Sequence, residues 1–408
     1  MARILDVFLC ERLVGRLEQD DSGSLWFSYT EAWLSAKDAV PLSVSLPLQR
    51  EPYRRKECRP FFAGLLPEET SRELIAKAFG VSDKNDFALL ERIGGECAGA
   101  VSLMPPGELP MAGKASYREI SPDELAGKMA ELPRRPLLAG QDGVRLSLAG
   151  AQGKLAIAIF GGGFFLPLHG SPSTHILKPQ GPHFEGLVEN EFFCMRLAAL
   201  AGLEVAPVEI GTAGPARFLQ VARYDRRPLD GDNLERLHQE DFCQALGIPP
   251  ELKYQQEGGP NLRKCFELVR AVSSVPGPDV LRLFDAVVFN HLIGNNDAHG
   301  KNFSILHDAG AARLAPLYDL VCTQAYPELA AEAAMKIGNE RKPDRIDGKN
   351  WLKFFNDAGV GPAVAKRRLR ALAEHVSQLV REMDDTSPGW NLVSPAVLAN
   401  CARVISSG

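Results

Sequence analysis

The run Asn295-Asn296-Asp297-Ala298-His299-Gly300-Lys301-Asn302-Phe303, with Leu317-Tyr318-Asp319-Leu320 shortly after it, constrains this chain more than any other stretch. It follows the apolar segment Phe284 to Ile293, long enough for a buried helix, and it leads into Phe303-Ser304-Ile305-Leu306, which reads as a strand. Gly310 then permits a hairpin turn into a second strand, Ala312 to Leu317. Asn, Asp and Gly crowd together in ordinary turns too. An ordinary turn, however, has no reason to sit in the order helix, polar loop, strand, turn, strand, second Asp. The spacing Asp-x-x-x-x-Asn is that of a phosphotransferase catalytic loop. On this reading Asp297 accepts or orients the proton of an attacking hydroxyl, while Asn302 and the downstream Asp319 hold magnesium against the nucleotide phosphates. Phosphoryl transfer is mostly positioning and electrostatics, which calls for hard oxygen donors of this kind. Mg²⁺ keeps waters and substrate oxygens, so two protein ligands suffice.

Composition sets the outer limits. A chain of 408 residues, 45% hydrophobic and 24% charged, can bury a large core and is expected to form two or three domains. Its formal charge of -5 argues against a molecule-wide electrostatic grip on nucleic acid, and Arg54-Arg55-Lys56 and Lys366-Arg367-Arg368 read as solvated faces. Eight cysteines without a Cys-x-x-Cys pair suggest neither a zinc site nor a disulfide framework, so reduced thiols are expected. The first residues lack the regions of a signal peptide, and no apolar stretch approaches the roughly 20 residues of a membrane span. A cytoplasmic protein without membrane contact is the expectation.

Short alternating strands are expected at residues 3 to 9, 13 to 17 and 24 to 30, then helices at Glu68 to Phe79, ending at Gly80, and at Asp86 to Ile93. Residues 1–105 therefore read as a small α+β domain. Pro and Gly between Met104 and Lys114 mark a linker, and Ser121-Pro122-Asp123-Glu124 signals the start of a new helix. Strand signals then dominate, at Lys154 to Phe160, Phe164 to Leu168, Thr174 to Lys178 and Arg217 to Arg223, with one helix from about Val188 to Ala201. Gly161-Gly162-Gly163 reads as a hairpin turn. Past residue 235 the chain reads mostly helical, with Leu369, Leu372, Val376, Leu379 and Met383 as the core stripe of its last strong helix. The expected fold is α+β and bilobal, like a protein kinase: an extra N-terminal domain over 1–105, a strand-rich nucleotide-binding lobe over 106–235 and a helical catalytic lobe over 236–408.

The middle segment should hold the phosphate grip. Ser147-Leu148-Ala149-Gly150-Ala151-Gln152-Gly153-Lys154 precedes a strand, and its small residues would let backbone N–H groups approach phosphate oxygens. It is not a Walker A loop, because Leu148 stands at the first Gly position and no Ser or Thr follows Lys154. Lys178 ends a strand, where a kinase lysine neutralises phosphates and pairs with a helix glutamate; Glu189 and Glu191 are both candidates.

Several further motifs stand in one order along the chain: Phe61-Phe62-Ala63-Gly64-Leu65-Leu66-Pro67, Ile93-Gly94-Gly95-Glu96-Cys97-Ala98-Gly99-Ala100, Thr174 to Lys178, Glu189-Asn190-Glu191 and Arg223-Tyr224-Asp225-Arg226. With Ser147 to Lys154 and Asn296 to Phe303, they make the chain resemble, over nearly its whole length, the HipA-like serine/threonine kinases, toxin components of bacterial toxin–antitoxin pairs. The resemblance implies a kinase-like fold using Mg²⁺ and ATP, with Asp297 catalytic, Asn302 and Asp319 on the metal, and Lys178 on the phosphates. It also implies that Ala149, Gly150, Ala151, Gln152, Gly153 and Lys154 cover the nucleotide, that Val221, Ala222, Arg223 and Tyr224 form the hinge against adenine, and that His299 belongs to the nucleotide site. Ser147 is implied as an autophosphorylation site; roughly two negative charges there would repel the nucleotide. Gly153 and Ala222 stand where acidic residues are common in the family. The implied partners are a helix-turn-helix antitoxin of the HipB type, DNA only through that antitoxin, and a protein substrate in translation such as an aminoacyl-tRNA synthetase. A small-molecule phosphotransferase of the aminoglycoside or choline kinase type shares the loop spacing, but there the catalytic Asp commonly follows His-Gly, whereas Asp297 follows Asn296. A catalytically silent co-repressor would have no need of the metal donors.

Overall fold

The computed structural model describes residues 2–110, 115–150, 152–181, 184–229, 234–383 and 387–407. The chain divides into two compact units. One holds Met1–Pro179, Gly211–Pro250 and Leu306–Gly310, the other Gln180–Ile210, Glu251–Ile305 and Ala311–Gly408.

The first unit opens with an antiparallel sheet of β1 (Arg3–Leu9), β2 (Arg12–Gln19), β3 (Leu25–Tyr29), β4 (Tyr53–Arg54) and β5 (Val101–Met104), in the order β4-β3-β2-β1-β5. Leu25, Phe27 and Tyr29 are buried while Trp26 between them is 40% exposed, the period of two that makes one sheet face apolar. Gly15 of β2 is glycine because the Phe27 ring lies across it: a Cβ there would sit 2.4 Å from the ring. Helices Arg55–Gly64, Glu69–Phe79 and Asp86–Ile93 follow, the second closed by Gly80 in the left-handed conformation, as its sequence indicates. A second sheet contains β6 (Ser116–Ile120), β7 (Leu155–Phe160), β8 (Gly163–Leu168), β9 (His175–Pro179), β10 (Val208–Ala213) and β11 (Ala216–Ala222), ordered β10-β11-β9-β7-β8-β6. Gly161 and Gly162, both at positive φ, turn β7 into β8.

One apolar core runs from Leu5 and Phe27 through Phe61, Leu138 and Leu148 to Phe218. Each fully buried phenylalanine contributes about 1.5–3 kcal/mol of hydrophobic stabilisation. The chain thus changes sheet near residue 105 without interrupting its core.

The second unit is built mainly from helices Leu187–Leu200, Leu262–Val272, Pro276–Leu292, Gly348–Ala358, Pro362–Glu382 and Pro388–Ser407. Phe284 stacks on Phe354 at 5.0 Å, and Phe266 closes on the same ring at 6.0 Å. The buried face of Pro362–Glu382 is Ala365, Leu369, Ala373, Val376 and Val380. Leu372 and Leu379, expected in the core, lie half-buried at its margin, because the small Ala373 lets the helix approach closely on that side. The chain does not end with that helix: Pro388–Ser407 follows and buries Val393, Val397, Cys401 and Val404. Among the described residues no helix is long and apolar enough to cross a membrane.

Two histidines bury their rings in the neutral form. His238 in the first unit places Nε2 2.9 Å from the Leu42 carbonyl, and burial, then the neighbouring His307, push its pKa down to about 4. His291 in the second unit packs edge-on to Trp351 at 5.3 Å, and burial, then Arg403, push it down to about 4. The unfolded chain takes up these protons first, from the ordinary value of 6.5 downward, so stability present above pH 6.5 is lost as pH falls toward 4. At pH 5 the loss should be about 2 kcal/mol per histidine. Urea unfolding at pH 7.5 and 5.0 measures it, and an unchanged midpoint would mean that both rings carry their proton in the folded state.

Candidate active site

Asp279 braces the second unit below the polar loop. Its fully buried carboxylate accepts from Ser273 Oγ at 2.7 Å, the Leu314 amide at 2.9 Å, Arg282 at 2.9 Å and Arg313 at 3.0 Å. Burial alone would raise its pKa; Arg313, Ser273, Leu314 and Arg282 together lower it to about 2. The start of helix Pro276–Leu292 is thereby tied to the strand Ala311–Leu314, the two elements that lead to the loop and to Asp319.

The loop itself is held by amides and hydroxyls. Asn295 donates to Asn290 Oδ1 at 2.7 Å and to the Asp319 carbonyl at 3.3 Å, and its own Oδ1 accepts from the Asp297 amide at 3.1 Å. The Asn296 backbone amide donates to Thr323 Oγ1 at 2.8 Å, and its side chain donates to the Ala330 carbonyl at 3.1 Å. These buried asparagines hold the backbone still, and Asp297 between them and the Gly300–Asn302 turn is exposed. The Tyr254 hydroxyl donates to Asp297 Oδ1 at 2.8 Å. His299 accepts from the Lys301 amide at 3.3 Å and sets its ring edge-on to Tyr254 at 5.2 Å. The Tyr318 hydroxyl donates to the Lys301 carbonyl at 2.7 Å, which ties the segment before Asp319 to the loop. Asp319 has a left-handed backbone, φ +53, a conformation that costs a residue with a Cβ about 1–3 kcal/mol and gathers at functional sites.

The donor set suits a hard cation. Asn302 Oδ1 is shut off from solvent and accepts no hydrogen bond from the described residues, a state that costs about 1–3 kcal/mol unless something electropositive comes to it. No three His, Cys, Asp or Glu side chains cluster as a metal cage among the described residues. A cation that keeps its waters and phosphate oxygens needs only the amide oxygen of Asn302 and the Asp319 carboxylate.

In the first unit, the register that pairs Leu155 with Leu177 puts Lys154 one residue before that pair and Lys178 one residue after it, on adjacent strands. Lys178 pairs across to Leu219, while Val221 and Ala222 pair with Ile176 and His175, so Lys178 and the expected hinge share neighbouring strands. Ser147 is fully buried, its amide 2.9 Å from the Glu96 carbonyl and its hydroxyl donating to the Leu65 carbonyl at 2.7 Å. Gly150, at positive φ, bridges to Pro67, and Lys154 donates to the Ala149 carbonyl at 2.7 Å. Gln152 and Gly153 lie half-buried beside it; Ala151 lies outside the described residues. In the second unit Glu191 is buried and Glu189 half-buried on helix Leu187–Leu200.

The motif Arg223-Tyr224-Asp225-Arg226 turns out to tie the segment after β11 to the loop around Glu96. Arg223 donates to Glu96 at 2.8 Å and to Asp225 at 2.7 and 2.9 Å; Arg226 donates to Glu96 at 2.5 Å. Asp225 also accepts the Gly99 amide at 2.7 Å, and Tyr224 meets Gln239 through its hydroxyl. Arg236 completes the cluster, donating to Ser102 Oγ and the Val101 carbonyl at 2.7 Å. Burial pushes the Glu96 carboxyl up, and Arg223, Arg226 and Arg236 overcome this to hold it below its ordinary value. Burial, then Arg226, push Arg236 down to about 10. Three guanidiniums share two carboxylates here, and nothing in the local sequence around Glu96 announces it. Nor does the sequence around Tyr254 announce its bond to Asp297.

The comparisons agree on one family. A model described as the HipA-like C-terminal domain matches residues 146–383, and one described as the HipA N-terminal domain matches residues 5–104. The putative kinase Y4mE of Sinorhizobium fredii is 51% identical over 391 residues, covering 94% of this chain and 93% of that protein. The serine/threonine-protein kinase toxin HipA of Shewanella oneidensis is 30% identical over 392 residues, covering 93% and 89%. A solved structure of the Shewanella oneidensis HipA, HipB and operator DNA complex superposes with a TM-score of 0.85 at 30% identity, covering 98% of this chain and 97% of that one.

Proposed function

The chain belongs to the HipA-like family of serine/threonine kinase toxins, and from that premise we propose that it is a Mg-ATP-dependent protein serine/threonine kinase, the toxin of a toxin–antitoxin pair, that can phosphorylate itself at Ser147. The observation that carries the reading is the Asn302 amide oxygen, buried and without a hydrogen bond, in the same loop as the exposed Asp297. Magnesium, when bound, would neutralise and bridge phosphate oxygens. Asn302 and Asp319 are the residues that would hold it, and Asp297 receives or orients the proton of the acceptor hydroxyl. Lys178 and Lys154, on adjacent strands, favour a polyanion near them. Val221 to Tyr224 would meet the adenine through the backbone, with Ala149 to Lys154 over the phosphates and His299 steadying the loop.

The first unit is proposed to be composite, an N-terminal domain over 1–105 and a nucleotide-binding lobe over 106–235, followed by the catalytic lobe over 236–408. Separate family matches at 5–104 and 146–383 support the first boundary. A HipB-type helix-turn-helix antitoxin is the proposed partner, with DNA reached through it, because the structural relative was solved with HipB and operator DNA. A translation component, such as an aminoacyl-tRNA synthetase, is the proposed substrate, and the cytoplasm the proposed compartment.

The test is incubation of the purified chain with Mg-ATP and mapping of added phosphate by mass spectrometry. Phosphate is expected on Ser147. Its hydroxyl now donates to the Leu65 carbonyl from a fully buried position, and a phosphoserine can neither make that bond nor stay buried, so the loop must leave its seat. The modified chain should bind ATP at least roughly tenfold more weakly, because about two negative charges are added where phosphates bind. Ser147→Ala should escape the modification and keep its activity on other substrates. A chain that neither gains phosphate nor binds ATP would leave the co-repressor reading in its place.

A further inference from the structure

Asp297 is exposed on a loop that is otherwise largely buried, so the aim of its carboxylate depends on the side chains that meet it, and Tyr254 is one of them. Its hydroxyl donates to Asp297 Oδ1 at 2.8 Å, and its ring stands edge-on to His299 at 5.2 Å, so both ends of the side chain rest on the loop. The backbone around it is fastened on three sides. The Lys253 carbonyl accepts from the Gly300 amide at 3.3 Å, the Gln255 amide donates to the Ala334 carbonyl at 3.2 Å, and the Tyr254 carbonyl accepts from the Gly259 amide at 2.9 Å. Ala334 in turn donates to the Asn296 carbonyl at 2.7 Å, and Gln255 Oε1 accepts from the Lys336 amide at 2.8 Å. The turn is tight enough to require glycine: a Cβ on Gly259 would lie 2.4 Å from the Leu252 carbonyl oxygen and 2.7 Å from that of Tyr254. A tyrosine held this firmly is a poor candidate for a plug that swings away when substrate arrives.

Resting on the kinase reading, we propose that Tyr254 is a positioning residue, whose hydroxyl bond to Oδ1 helps fix the rotation of the Asp297 carboxylate. In the transfer step the acceptor oxygen bonds to the γ-phosphorus as the bond from that phosphorus to the bridging oxygen of ADP breaks, and the acceptor proton passes to the Asp297 carboxylate. Tyr254 touches neither phosphate nor acceptor. It acts by keeping one carboxylate oxygen aimed, and misaiming a reacting group by about 1 Å can cost on the order of 100-fold in rate.

Tyr254→Phe keeps the ring against His299 and deletes only the hydroxyl. The measurement is steady-state phosphate transfer by the full chain with Mg-ATP, for the parent and the variant, with ATP affinity and thermal unfolding determined alongside. The expected result is a kcat lower by roughly ten- to hundredfold, with KM for ATP within about twofold and an unfolding midpoint close to the parent's. A purely structural tyrosine would move the midpoint and leave the split between kcat and KM untouched. A variant with parental or higher kcat, beside an active parent, overturns the assignment alone. A parent that transfers no phosphate overturns the kinase reading, and the assignment with it.

Discussion

Asp297→Asn should bind ATP, fold as the parent does and transfer phosphate roughly 10²- to 10⁴-fold more slowly, the usual contribution of a positioned acid or base. The exchange keeps size and shape and removes a charge. Two of the bonds that hold the residue are those of its backbone: its amide donates to Asn295 Oδ1 at 3.1 Å and its carbonyl accepts from the His299 amide at 2.7 Å. Both survive the substitution, and the Asn oxygen can still accept from Tyr254. Since the side chain is exposed, stability should change by no more than about 0.5 kcal/mol. Asn302 and Asp319 remain, so metal-dependent ATP binding should persist. Rates from radiolabelled ATP, with ATP affinity by calorimetry, separate the two effects. Transfer at the parental rate would remove Asp297 from the chemistry; loss of ATP binding would place it in the nucleotide site instead.

The largest effect on stability is expected from Glu96→Gln, at about 3–5 kcal/mol, the cost of leaving buried charge without its partner. Glu96 is fully buried and meets both Arg223 and Arg226. Its neutral replacement would leave the guanidiniums of Arg223, Arg226 and Arg236 with Asp225 as the one carboxylate of the cluster. Arg226 already carries a buried Nε without a hydrogen bond, so the site has no spare acceptor to offer. Urea unfolding at neutral pH measures the loss. Pairing the change with Arg226→Met should recover part of it, since the double variant restores the balance of charge, and the cycle gives the coupling directly. A single-variant loss below 1 kcal/mol would mean that water or an anion reaches the cluster.

Local elements were legible wherever the signal lies within a few residues. Gly80 closes its helix, Gly161 and Gly162 turn a hairpin, and the alternation of Leu25, Phe27 and Tyr29 gives a strand with one buried face. The polar loop was legible as a unit because Asp297 and Asn302 sit five positions apart between a helix and a strand. Contacts between distant segments were not. Tyr254 meets Asp297 across 43 positions and Arg223 meets Glu96 across 127, and neither pair carries a spacing that periodicity could detect. The motif around Glu96 pointed to a family without giving a reason for itself; the structural reason is the ion pairing of Glu96 with Arg223 and Arg226. On helix Pro362–Glu382 Leu369 and Val376 face inward as the stripe indicates, but Ala373 and Val380 are buried where Leu372 and Leu379 were expected. Helix Pro388–Ser407 was missed because Pro395 interrupts the pattern that would have marked it.

The length of chain between Glu96 and Arg223 also sets an order of events at the ribosome. The carboxylate is made 127 residues before the first arginine that neutralises it, a delay of roughly 6–25 s at bacterial elongation rates of about 5–20 residues per second. Until then the opening sheet has neither its counter-charges nor the Phe218 end of its core. The N-terminal segment therefore cannot complete its native contacts until Arg223 and Arg226 have been translated.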